Sequence, residues 1–169
     1  LWLSGERARE LVEKRIDWWT LTFFILLFAS VGTLKLTGVT TALANWVMDV
    51  AQGRLGVLLA LITGAASLLT AFLDNVLAVA TFVPVMGDLA NADIHTTPIW
   101  WGLLFGGTLF GNATLIGSTA NIIAIGAMEK KQLGGISFMT WLWPGLLISS
   151  TTLAVAMTGL WLQIPLMPR

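Results

Sequence analysis

Apolar segments long enough to cross a membrane, two of them interrupted by polar residues, constrain the fold of this chain more than any other feature. A helix needs about 20 mostly apolar residues to cross the hydrocarbon core of a bilayer. Four segments reach or exceed that length: 18–39, 54–89, 98–130 and 138–163. Only 11% of the residues are charged, whereas soluble domains carry about 25%. The sequence therefore predicts an all-α integral membrane protein.

Composition and motifs exclude several functional classes. Lysine and arginine together number 9, as do aspartate and glutamate, so no net charge favours a nucleic acid partner. The sequence has no cysteine, no phosphate-binding P-loop and no HExxH metal motif. Asp74 also lacks a second aspartate at membrane depth with which to form a catalytic pair. We therefore predict a protein that is not an enzyme, needs no cofactor, and contacts lipid and a small ion.

Positively charged residues set the expected orientation. One group lies within residues 1–17, a predicted polar cytoplasmic helix or linker, and Lys130-Lys131 forms the other. Because such residues concentrate in cytoplasmic loops, both groups are placed on the cytoplasmic side of the cell membrane. The membrane domain, 18–169, then comprises a span at 18–39, an interfacial helix at 40–52, a re-entrant hairpin at 54–89, a broken helix at 98–130 and a span at 138–163.

The first polar interruption is Asp74-Asn75, in the middle of the predicted hairpin. Backbone at the tip of a membrane hairpin is tolerated where it is buried in protein or lines a watery cavity. Carboxylate and amide oxygens are ligands for a small cation such as Na⁺, and the carboxylate can also accept a coupling proton. Asp74 and Asn75 are therefore a candidate ion site. Asp88, near the end of the hairpin, is instead expected to be solvated.

The second interruption, 111–121, lies between two half-helices that are each too short to span alone. Its candidate ligands are the side chains of Asn112, Thr114, Ser118, Thr119 and Asn121, while Gly117 lets the backbone leave helical geometry. Broken helices of this kind expose partial charges and carbonyl groups to ions near the membrane midplane. On the half-helix before the break, the spacing of Gly102, Gly106 and Gly107 predicts close helix packing.

Both interruptions also have a purely structural interpretation. Asp74 could be the buried partner of Lys35, which lies near the end of the first span. The small residues of the second break could serve close helix packing alone. Ionisable residues at membrane depth are costly, by about 2.5 to 3.5 kcal/mol on insertion scales, so a functional role is the favoured interpretation of Asp74.

Three motifs carry a resemblance to a known family: Phe-Leu-Asp-Asn-Val at 72–76 with Pro84 downstream, the run 111–121, and Ile-Ser-Phe at 136–138. At these positions the chain resembles the ion transporter superfamily. The similar branch contains citrate-transporter-like permeases, arsenite-efflux permeases, sodium/proton antiporters and the melanosomal pink-eyed dilution protein. Leu77 departs from the proline that relatives commonly have two residues after the asparagine.

The resemblance implies a fold of two inverted repeats, each with a re-entrant hairpin and a broken helix whose tips meet at the substrate. This chain matches only the C-terminal repeat, so the missing N-terminal repeat is an expected partner and a homodimer is also implied. The chain begins at Leu1 without an initiator methionine, which agrees with a piece of a longer protein. By resemblance, the ion and substrate site comprises Asp74, Asn75, Asn112, Thr114, Gly117, Ser118, Thr119 and Asn121.

These observations favour an ion-coupled secondary active transporter that works by alternating access. The expected cargo is a small inorganic or organic anion, or Na⁺ exchanged for H⁺, so both symport and antiport stay open. No arginine or lysine lies near either break, which leaves anion recognition to helix N-termini, sodium or the missing repeat. The alternatives are an ion channel of the same fold and a membrane partner subunit that does not itself transport.

Overall fold

The computed structural model describes residues 18–92, 94–132 and 134–167, and these residues form helices and connecting turns without a strand. The predicted linker, 1–17, lies outside the described residues. In chain order the helices are α1 (Trp18–Leu36), α2 (Val39–Ala51), α3 (Leu55–Thr70), α4 (Asn75–Asn91), α5 (Thr97–Leu109), a 3₁₀ turn (Phe110–Asn112), α6 (Thr119–Lys130), α7 (Phe138–Gln163) and a second 3₁₀ turn (Ile164–Leu166).

Helices α3 and α5 pack side by side because glycines on α5 let the two backbones approach. A Cβ atom added to Gly106 would lie 2.5 Å from the carbonyl oxygen of Thr63, and one added to Gly107 would lie 2.5 Å from Cγ2 of Val79 on α4. No larger residue fits at either position without moving a neighbour. The predicted role of these glycines in helix packing is confirmed.

The contacts define the direction of each helix. Gly102 on α5 lies against Leu59 of α3, and farther along both helices the Thr70 hydroxyl donates to the Gly107 carbonyl at 2.8 Å, so α3 and α5 run in the same direction. Helix α7 runs the opposite way: Gly145 lies against the carbonyl oxygens of Asn112 and Ala113 after α5, while Trp161 lies against Gly56 at the start of α3. The starts of α3 and α5 therefore lie at one end of the molecule, which we call the base.

Helix α4 returns from the hairpin tip to the base. Its residues Val85, Met86 and Leu89 are fully buried in one core with Leu58 and Ile62 of α3. The core continues into α2, which contributes a buried stripe, and into α5, which contributes Ile99 and Leu103. The hairpin, α2 and α5 thus share one buried apolar core.

Several predicted boundaries need correction. The first span was expected to extend to residue 39, but α1 ends at Leu36 because Gly38 adopts a left-handed conformation with φ +76° and starts α2. The second break was expected to extend over 111–121, but only 113–118 lie between the 3₁₀ turn and α6. Ser118 caps α6, so Thr119 and Asn121 are helical residues and not loop residues.

The C-terminal span and the two arms of the hairpin differ in length. Among the described residues, one helical segment, Phe138–Leu166, is long and apolar enough to cross a membrane by itself. The arms of the hairpin, Leu55–Thr70 and Asn75–Asn91, are apolar but shorter. Pro144 lies inside α7, where it removes one backbone hydrogen bond from the helix.

Candidate functional site

The hairpin tip is built around Asp74, which starts helix α4. Helix α3 ends at Thr70, and the chain leaves helical geometry until Asp74, whose φ and ψ are −56° and 141°. Oδ1 of Asp74 accepts a hydrogen bond from the backbone N–H of Val76 at 2.9 Å. Aspartate is one of the best helix N-cap residues because its carboxylate accepts such unpaired N–H groups. The same short side chain therefore starts the helix and supplies the charge at the tip.

The second break ends in a similar cap. Ser118 adopts an extended conformation and its hydroxyl accepts a hydrogen bond from the backbone N–H of Ala120 at 3.3 Å. Helix α6 starts at the next residue, Thr119. The N-terminus of α6, like that of α4, carries unpaired N–H groups and the positive end of a helix dipole.

A direct hydrogen bond joins the two breaks. The hydroxyl of Thr119, the first residue of α6, donates to Oδ2 of Asp74 at 2.8 Å. The carboxylate of Asp74 thus accepts one hydrogen bond from the start of α4 and one from the start of α6. The starts of two helices therefore meet at one half-buried carboxylate.

Thr114 and Gly117 hold the hairpin tip against the second break. The buried hydroxyl of Thr114 donates to the carbonyl oxygen of Ala71 at the tip and accepts from the backbone N–H of Gly117 at 3.1 Å. A Cβ atom on Gly117 would lie 2.6 Å from the carbonyl oxygens of both Thr70 and Gly111. Glycine is therefore required here by the close approach of three backbone segments.

Asn121 has a structural role in the break. Its side chain is only 7% exposed, and Nδ2 donates to the carbonyl oxygens of Gly111 at 3.4 Å and Thr114 at 3.2 Å. Both carbonyls belong to residues that follow α5. The amide thus ties the end of one half-helix to the first turn of the next.

The predicted site residues do not all face one space. Asp74, Thr114, Gly117, Ser118 and Thr119 are brought together where the two breaks meet. Asn75 is half-buried and lines a groove with Val76, Val79 and Thr108, whereas the exposed side chain of Asn112 lines a different cavity. That second cavity has a volume of about 370 Å³ and is bordered by Asn121, Trp141, Pro144, Gly145 and Ile148.

Two residues of α7 contribute to the site and were missed by sequence reasoning. The indole N–H of Trp141 donates to the carbonyl oxygen of Asn112 at 3.0 Å. A Cβ atom on Gly145 would lie 2.6 Å from the carbonyl oxygen of Ala113. Both residues fix α7 against the second break.

The alternative pairing of Asp74 with Lys35 is not found in the described structure. Lys35 lies in the last turn of α1 and is exposed, while both carboxylate oxygens of Asp74 accept hydrogen bonds from Val76 and Thr119. The described residues contain no group of three or more acidic, histidine or cysteine side chains that could hold a metal ion. A cation at Asp74 would therefore be held by one carboxylate together with hydroxyl and carbonyl oxygens.

Comparison with known proteins identifies the family. A family model described as "Citrate transporter" matches residues 1–106. The chain belongs to the citrate transporter family. The matched residues include the whole hairpin with Asp74. This membership confirms the resemblance inferred from the motifs, and the chain is integral to a membrane as its apolar segments predicted.

Curated relatives extend the match over the second break. An uncharacterized transporter of Mycobacterium tuberculosis is 32% identical over 164 residues, which cover 95% of this chain and 38% of that protein. The P protein of Homo sapiens is 32% identical over 139 residues, which cover 77% of this chain and 16% of that protein. The chain thus spans less than half the length of these relatives. No solved structure matches it.

Proposed function

We propose that this chain forms one half of an ion-coupled secondary active transporter, which moves a small anion or exchanges Na⁺ for H⁺ by alternating access. The hydrogen bond between Thr119 and Asp74 carries the proposal, because it joins the starts of two broken helices through a carboxylate. Family membership and the transporter names of relatives support the general role. The missing N-terminal repeat is the proposed partner that completes the site.

The charges at the site suggest how an ion and an anion are coupled. The Asp74 carboxylate caps α4 and also accepts from the Thr119 hydroxyl at the start of α6, so it lies beside the positive ends of both helices. An anion that approaches these helix ends is repelled by the same carboxylate. Binding of Na⁺ or a proton to Asp74 neutralises that charge and leaves the helix N-termini to attract an anion. We therefore propose that the cation binds before the anion.

Orientation is part of the same proposal. Lys130-Lys131, at the end of α6, are placed in the cytoplasm, and the base, where α3 and α5 start, is placed on the opposite side. These 169 residues contain no cysteine, so Lys131→Cys introduces a single labelling site in this part of the protein, and any cysteine elsewhere in the complete protein is replaced first. The Lys131→Cys variant should react with a membrane-impermeant maleimide only in inverted vesicles. Labelling in intact cells would show that the orientation is the opposite of the proposed one.

Flux through proteoliposomes of the complete protein tests the proposed function. An imposed Na⁺ gradient is applied with and without added citrate or arsenite, while a pH-sensitive dye reports proton movement. Proton movement without an added anion would support Na⁺/H⁺ exchange, and movement that needs the anion would support symport or anion exchange. Rapid ion flux that does not depend on a second ion or on a substrate would indicate a channel and contradict the proposal.

The variant Asp74→Asn tests the assigned residue. We expect coupled flux to fall about 100-fold, as when a charged hydrogen-bonding group is lost, while membrane insertion stays intact. Asp49→Asn is the matched control, because Asp49 is an exposed aspartate on α2 and lies outside the site. Wild-type coupling in Asp74→Asn would remove Asp74 from the mechanism.

A further inference from the structure

Asp88, expected to be solvated, instead connects two helices at the base. Its side chain is half-buried, and Oδ2 accepts hydrogen bonds from the hydroxyl of Thr41 at 3.0 Å and from that of Thr40 at 3.5 Å. Thr40 is only 3% exposed. Asp88 lies near the C-terminal end of α4, whereas both threonines lie in the first turn of α2.

The positions of these residues on their helices make the contact electrostatically favourable. An acidic side chain near a helix C-terminus is unfavourable, and no basic residue lies in the last turn of α4 to compensate. The N-terminus of α2 is preceded by Gly38, which offers no side chain to cap it, and its first turn contains no acidic residue. Asp88 supplies from α4 the negative charge that α2 lacks.

We propose that Asp88 is a positioning residue that binds the first turn of α2 through two threonine hydroxyls and so anchors the base of the hairpin. Helix α4 begins at the site with Asp74 and reaches Asp88 14 residues later, about 21 Å along the helix. Between them lie Pro84, where one backbone hydrogen bond is missing, and the fully buried Val85 and Met86. The anchor holds this end of α4 still while the tip changes its contacts. The inference rests on the proposed transport function.

A double-mutant cycle in the complete protein tests the anchor independently of transport. Thermal unfolding in detergent is measured for Asp88→Ala, Thr41→Val and the pair, with Asp49→Asn as the exposed control on α2. We expect the effects of the two changes to be non-additive, because each removes the same hydrogen bond. Asp88→Asn, which keeps an acceptor oxygen but loses the charge, should retain part of the coupling if Asp88→Ala fails to fold. Additive effects would overturn the proposal.

Transport kinetics distinguish a positioning role of Asp88 from a role in binding the ion. In proteoliposomes, Asp88→Asn should lower the maximal rate about fivefold, while the apparent affinity for the driving ion stays at the wild-type value. A rate equal to that of Asp49→Asn, or a weakened ion affinity like that of Asp74→Asn, would overturn the positioning role. If the wild type moves no ion but the unfolding cycle is non-additive, the proposed function fails and the anchoring contact stands.

Discussion

The two breaks in this molecule differ in how their backbones are held. Around the second break, side chains of the break bond to its own backbone: the hydroxyl of Thr114 accepts from the N–H of Gly117, and the amide of Asn121 donates to the carbonyls of Gly111 and Thr114. At the hairpin tip, Asp74 accepts from the N–H of Val76 within the tip, and the second break supplies two further hydrogen bonds, from Thr114 to the carbonyl of Ala71 and from Thr119 to Asp74. The comparison teaches that the second break, residues 111–121, holds its own backbone in place. We call these residues the frame, and the hairpin tip supplies the charged side chain, Asp74, that contacts it.

Replacing Gly117 is the most direct way to disrupt the frame. Gly117→Ala places a methyl group 2.6 Å from two backbone carbonyl oxygens, neither of which can move without shifting a helix. We expect a loss of about 3 kcal/mol in the free energy of unfolding, together with loss of coupled flux. Gly126→Ala in α6 is the control, because nothing lies within 4 Å of its added methyl group. Equal behaviour of the two variants would show that the frame is not tightly packed.

Thr114→Val sharpens the comparison, because it keeps the shape of the side chain and removes the hydroxyl that joins frame and tip. The carbonyl of Ala71 and the N–H of Gly117 would be left without this partner in a buried place. We expect a loss of about 2 kcal/mol in unfolding free energy. Thr158→Val, whose exposed hydroxyl bonds only to Ala154 of its own helix, should have little effect. Similar losses of unfolding free energy in both variants would show that the Thr114 hydroxyl does not join the frame to the tip.

The smallest structural effect is expected at Asn112. Its side chain is exposed to the cavity beside α7 and makes no hydrogen bond within the described structure. Asn112→Ala should therefore change unfolding free energy by less than about 0.5 kcal/mol. If an anion occupies this cavity, its apparent affinity in the flux assay should weaken severalfold. Asn45→Ala, at an exposed position on α2, is the control, and a large loss of stability at Asn112 would place it in the frame.

Sequence reasoning predicted the order of elements well because each depends on local signals. The hairpin, its polar tip and the broken helix follow from apolar length and from Asp74, Ser118 and the glycines, whose conformational preferences act over a few residues. Close packing of α5 against other helices was also predicted from the spacing of Gly102, Gly106 and Gly107, although the partner helix was not. Family motifs added the inference that the two breaks belong to one site.

The contacts between distant segments were not predictable from one sequence. Asn121 was expected to offer oxygen ligands, but it folds back on the carbonyls of the break. Asp88 was expected to be solvated, but it is paired with α2 because the helices meet at the base. Trp141 and Gly145 reach the site only because α7 runs antiparallel to α5. Each outcome depends on tertiary packing, which a short sequence pattern does not encode.

The central claim is that Asp74 and Thr119 act as one unit at the meeting point of the two breaks. A double-mutant cycle of Asp74→Asn and Thr119→Val in the complete protein measures this directly, with apparent affinity for the driving ion as the readout. Thr119→Ser, which keeps the hydroxyl, should behave like the wild type. The account predicts that the double variant is no worse than Asp74→Asn alone, a departure from additivity of about fivefold or more. Fully additive effects would contradict a shared site.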